Sequence, residues 1–198
     1  MAERIRTWDG QSWTFDSGAL FLDYVYTGEF GVGQWRDGII STADELDGWL
    51  GEHLGRPLLP LTDEELAAAL DLRDRLTRLV RSAAGVSNGS GTASPDDDLP
   101  HLAELAAQPD LPPVFPGHEP PTDPAACQAL ATIARDALVH LRDDTDRLRN
   151  CDGHGCPMVF LDLSRGGRRT WCSMARCGNR AKVRAFRDRQ AMQEMPVQ

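Results

Sequence analysis

Apolar residues recur at helical spacing in four stretches of the chain. Between Phe15 and Phe30, Leu20, Phe21, Tyr24 and Val25 predict a helix. Thr42-x-x-Glu45 has the form of a capping box, with Leu46, Trp49 and Leu50 as the buried stripe behind it. Thr62-x-x-Glu65 repeats that start, and Leu66, Ala69, Leu72, Leu76, Leu79, Val80 and Ala83 make the longest apolar face before Gly85 stops the helix. Asp123-Pro124 reads as a cap and first helical residue, followed by a face of Ala126, Leu130, Ile133, Ala134, Ala137, Leu138 and Leu141. Cys127 beside that face is expected to be a small buried hydrophobe. The segments between are of two kinds. Gly85 to Asp98 is rich in Gly, Ser, Thr and Asp and predicts a surface loop, whereas Gln108 to Pro124 holds seven of the 13 prolines and predicts an extended wrap around the domain.

The pattern changes after residue 146. Val159-Phe160-Leu161-Asp162-Leu163, a turn at Arg165-Gly166-Gly167 and a return through Arg168-Arg169-Thr170-Trp171 predict a β-hairpin. Asn179 to Met192 predicts a helix. With Arg180 at zero on a helical wheel, Arg184 and Arg187 fall at about 40° and −20°, one basic stripe, while Lys182 and Arg189 lie near 200° and 180°. Val183 and Phe186 form an apolar rib expected to face the hairpin. The chain is thus read as mainly α: a helical domain over residues 1–146, then a small treble-clef-like unit of hairpin plus helix over 147–198.

Charge divides at the same place. The 198 residues carry a formal charge of −9, yet residues 1–146 hold 10 basic against 26 acidic side chains and residues 147–198 hold 11 against 4. The net values are −16 and +7, so the acidic mean conceals a basic C-terminus. Between Arg165 and Arg189 there are nine cations and one acid, Asp188. Such density calls for an anionic partner, and guanidinium pairs well with phosphate. Arg168, Arg169, Arg176, Arg180, Lys182, Arg184, Arg187 and Arg189 are the candidate nucleic-acid contacts. The alternatives are an RNA-binding module, an adaptor docking an acidic protein, and a dock onto the chain's own acidic domain.

Four of the five cysteines form two equal pairs, Cys151-x4-Cys156 and Cys172-x4-Cys177, fifteen residues apart. No apolar run approaches membrane-spanning length and Met1 to Gly10 has no apolar secretion core, so a reducing cytoplasm is expected and a metal explains the pairs better than disulfides. Four thiolates suit tetrahedral zinc and leave no open position, which makes the metal structural rather than catalytic. His154, inside the first pair, is the competing donor. Elsewhere no acid–base pair or activated nucleophile stands out, and the chain is not read as an enzyme. Gly28, Gly31 and Gly33 lack the strand-then-helix setting of a phosphate loop. His53, His101, His118 and His140 are scattered and expected at the surface or in satisfied positions. Trp8, Trp13, Trp35, Trp49, Tyr24 and Tyr26 crowd the first quarter and are expected to pack the core.

Trp171-Cys172-Ser173-Met174-x-x-Cys177-Gly178-Asn179-Arg180-x-Lys182-Val183-Arg184 resembles the signature of the CGNR zinc-finger family, as do Cys151-x4-Cys156 and Phe160-Leu161-Asp162-x-Ser164. Upstream, Leu22-Asp23-Tyr24-Val25-x-Thr27, Leu46-x-x-Trp49-Leu50 and Leu72-Arg73 resemble that family's helical ABATE domain; Tyr26 stands where relatives usually have Asn. The resemblance implies a bacterial, stress-related transcription regulator with structural zinc on Cys151, Cys156, Cys172 and Cys177 and a DNA-contacting finger. The helical domain would sense an effector or form a homodimer. Within the tetrapeptide, Cys177 would lie at a helix N-terminus where the dipole favours thiolate, with Gly178 giving the sulfur room. Asn179 would cap the helix, and Arg180 would reach phosphate or bridge to the helical domain.

Overall fold

The computed structural model describes residues 2–6, 12–28, 39–86, 95–115, 117 and 122–193. The chain begins with an antiparallel ribbon, β1 (Ala2–Arg6) and β2 (Ser12–Asp16), followed by a short helix, α1 (Leu20–Val25). Helices α2 (Ala43–Leu54), α3 (Asp63–Ala83), α4 (Pro95–Ala106) and α5 (Ala126–Asp143) complete the helical part. Then come β3 (Leu148–Asn150), β4 (Val159–Leu161) and α6 (Asn179–Gln193).

Both predicted capping boxes form. The Thr42 hydroxyl accepts from the Glu45 N–H at 3.3 Å and the Glu45 carboxylate accepts from the Thr42 N–H at 3.0 Å; Thr62 and Glu65 repeat the exchange at 3.2 and 2.9 Å. Each exchange satisfies two N–H groups that the first helical turn leaves open. α5 starts two residues later than its Asp123-Pro124 signal suggests, where the Gln128 side chain accepts from the Ala125 N–H.

The helical core closes around α1, whose Phe21, Leu22, Tyr24 and Val25 are all buried against α3 and α5. α1 is shorter than the predicted segment because Trp13 and Phe15 alternate with exposed neighbours at period 2 and form β2 instead. Where it is described, the proline-rich segment is non-helical and fastened to the body: Pro112 O accepts from Arg56, and Pro124 O accepts from the Leu59 N–H; residues 116 and 118–121 lie outside the described residues.

Two expectations fail here. Residues 95–98, assigned to a loop, open α4, which Pro100 interrupts without ending. Asp98 is buried in that helix and bound by Arg78 at 2.7 and 2.8 Å and by Arg75 at 3.1 Å, pinning α4 to α3. Cys127 is exposed rather than buried, since the buried face of α5 runs through Ala126, Ala129, Leu130 and Ile133. His53 stacks on Trp49 and His140 lies between Asp136 and Asp144, so both are satisfied as expected, and Trp13, Trp49, Tyr24 and Tyr26 pack in or against the cores. Trp8, Trp35, His118, Gly31 and Gly33 lie outside the described residues.

The hairpin forms, but with another partner. β4 pairs with β3, Leu148 opposite Leu161 and Asn150 opposite Val159, so the first cysteine pair sits in the loop joining the two strands. β4 is buried at all three positions, and the predicted return arm, polar at Arg168, Arg169 and Thr170, has no apolar face to offer it. Asp162 turns the chain away instead, its carboxylate accepting the Ser164 and Arg169 N–H groups at 2.9 and 2.8 Å. The other edge of β4 meets the two ends of α1. Ser17 O accepts from the Leu161 N–H at 2.7 Å, and the Tyr26 hydroxyl both donates to Val159 O at 2.7 Å and accepts from its N–H at 2.8 Å.

Candidate metal centre

The four sulfurs of Cys151, Cys156, Cys172 and Cys177 lie within 4.8 Å of one another. Cys156 to Cys172 is 3.7 Å and Cys172 to Cys177 is 3.5 Å. Sulfurs about 2.3 Å from a central zinc define a tetrahedron with edges of about 3.8 Å, close to these two separations, so the four thiols fit a zinc ion. Backbone amides already face the charge such a site carries: the Gly153 and Cys172 N–H groups donate to the Cys151 sulfur at 3.4 and 3.2 Å. Ionisation is divided unequally. Hydrogen bonds from the Cys156 and Cys172 thiols hold Cys151 down to about 2, while donation to that thiolate pushes Cys156 up to about 12 and Cys172 also upward. A divalent cation replaces those shared protons, so binding releases them.

The loop between β3 and β4 takes its shape from glycine. A Cβ at Gly153 would lie 2.7 Å from the Cys177 sulfur and 3.2 Å from Cys156 Cβ, and Gly155 adopts φ +64°. The room the sulfur needs is therefore at Gly153. What crowds Gly178 is the Met174 thioether and the Trp171 ring, at 2.7 and 3.2 Å from its virtual Cβ. Cys177 lies in a wide turn, Met174–Gly178, that runs straight into α6. Asn179 is consequently the first residue of α6 with helical angles, and it does not cap; its side-chain amide donates back to Ala175 O at 3.3 Å. His154 is exposed and outside the sulfur cluster.

Behind the cysteines is a second core made of Trp13, Phe15, Met158 and Phe160. Two of its four side chains come from β2, and they occupy the place assigned to the rib of the last helix. Val183 and Phe186 are accordingly 49% and 53% exposed, and α6 projects from the finger. Arg169, grouped with the phosphate-facing cations, is turned inward. Its guanidinium lies 4.1 Å over Phe160 and donates to Asp16 O at 2.8 Å and Cys172 O at 2.7 Å; burial lowers its pKa below the usual arginine value. Arg176 is half-buried, stacked 3.9 Å over the Trp13 ring. Arg168, Arg180, Lys182, Arg184, Arg187 and Arg189 are exposed. Among the described residues no carboxylate pairs with Lys182, Arg184, Arg187 or Arg189.

Helical domain, four-sulfur cluster and projecting basic helix together define a two-part protein built around a structural zinc finger. Family profiles match two stretches of the chain. Residues 18–144 match ABATE, described as "Putative stress-induced transcription regulator", and residues 147–190 match the CGNR zinc finger. The chain belongs to the ABATE family and carries a CGNR zinc finger with structural Zn²⁺ as its cofactor. Both descriptions are of regulator and zinc-finger type. No curated protein matches the chain. Among the described residues no helix is long and apolar enough to cross a membrane.

Proposed function

We propose that the chain is a transcription regulator in which zinc on Cys151, Cys156, Cys172 and Cys177 holds a DNA-contacting finger, residues 147–198, on a helical domain, residues 1–146, that senses an effector or dimerises. The contacts to DNA come from Arg168, Arg176, Arg180, Lys182, Arg184, Arg187 and Arg189. Arg169 has the separate task of fastening the finger together.

One observation carries this reading. α6 is about 22 Å long and largely exposed, and among the described residues no carboxylate pairs with its Lys182, Arg184, Arg187 or Arg189. A helix meant to dock on its own acidic domain would bring those charges together. A helix that carries them into solvent suits a polyanion, and its diameter of about 10–12 Å suits the major groove of duplex DNA.

Charge reversal tests the reading. Arg184→Glu/Arg187→Glu should lower affinity for duplex DNA by about tenfold or more per charge at moderate salt, with zinc content and melting temperature unchanged. A variant that binds duplex as the parent does, or that loses capture of an acidic protein while keeping its grip on DNA, contradicts it.

A further inference from the structure

The two matched families leave the N-terminal ribbon to neither: one begins at residue 18 and the other at residue 147. The structure ties that ribbon to the finger. Trp13 and Phe15 are buried beside the cysteines, Asp16 O accepts from Arg169, and Ser17 O accepts from Leu161. Gly18 fixes the approach, with φ +92° and a virtual Cβ only 2.5 Å from Leu161 O.

Two exposed positions of β2, Ser12 and Thr14, line separate grooves. Ser12 lines a groove of about 770 Å³ with Arg176, Arg180, Arg184 and Arg187 across from it; Asp188 and Val183 also line it. Thr14, two residues along the same strand, lines a second groove of about 440 Å³ with Arg168, Arg169 and Asp16. β2 therefore lies between α6 and Arg168, with Ser12 on one groove and Thr14 on the other.

We propose that β2 is the second wall of the DNA site, so that a sugar–phosphate backbone of the duplex crosses it between α6 and Arg168. This rests on the reading of the finger as DNA-binding. Trp13 joins the two walls, because its ring is the floor on which Arg176 lies. The finger alone would then be an incomplete site. Residues 12–16, outside the finger by family match, would be needed both to close its core and to complete its contact surface.

The test uses the full-length, zinc-loaded protein and a fluorescently labelled random-sequence duplex, with anisotropy measured from 50 to 200 mM salt. Ser12→Glu/Thr14→Glu places two negative charges on the wall, and Ser12→Arg/Thr14→Arg places two positive ones at the same exposed positions. The expected result is a loss of about tenfold or more for the first, and for the second a log–log salt slope steeper by about two, both with full zinc content. Parental affinity and slope in both variants overturn the inference, provided Arg184→Glu/Arg187→Glu weakens binding. If the unaltered protein binds no duplex, the DNA reading itself fails first. Tighter binding to single-stranded RNA of equal length overturns the commitment to duplex.

Discussion

Tyr26 and Val159 are separated by 133 residues, yet the phenol occupies both backbone groups of Val159 as a neighbouring strand would. In the sequence Tyr26 is visible as one of the clustered aromatics and as a departure from the family's Asn, but nothing local announces so distant a partner. The structure gives it a place: its ring meets Phe15 edge-on at 5.2 Å and packs against both cores. Tyr26→Phe leaves a buried N–H and C=O unmatched and should destabilise the protein by about 2 kcal/mol in urea denaturation. Burial also raises the Tyr26 pKa well above the ordinary phenol value. The folded chain then keeps its proton while the unfolded chain loses it, so stability falls as pH rises past about 10. That part of the slope should be missing in the Phe variant. Gly153 is the second residue with a sharp consequence. Gly153→Ala should weaken zinc binding by about tenfold or more in a chelator competition, whereas Gly48→Ala, with open space around its Cβ, should leave it unchanged.

Elements with their own start signals were legible in the sequence; elements whose partners are distant were not. The capping boxes of α2 and α3 and the stop at Gly85 can be read from the residues, since each depends on atoms three or four positions away. α4 is obscured because Pro100 breaks its pattern and its anchor, Asp98, acts through arginines of another helix. Asp98→Ala should therefore loosen α4 from α3 and cost about 2 kcal/mol, less than a fully buried ion pair because both arginines are partly exposed. The hairpin was predicted as a type of element but with the wrong partner, since β3 is only three residues long and lies before the first cysteine. The exposure of Val183 and Phe186 has the same origin. Nothing in their spacing reveals that β2 already covers the face they would fill.

For the whole molecule, the four cysteine positions were legible because zinc demands a fixed donor set, and the structure brings those four sulfurs together. The basic surface was legible as a count but not as a shape: of the eight cations singled out, Arg169 serves the interior and Arg176 lies on Trp13. Chelation of zinc should release β2 along with the finger, because Trp13 and Phe15 pack beside the cysteines. Hydrogen exchange should then lose protection over residues 12–16 and 148–161 while α3 and α5 keep theirs. The sequence net charge of −9 belongs to two regions of opposite sign, and the acidic one should repel DNA wherever the finger does not lead. The most direct test of the account is the salt dependence of duplex binding by the zinc-loaded protein. A log–log slope of about −5 is the predicted result, and binding that is absent or indifferent to salt would contradict it.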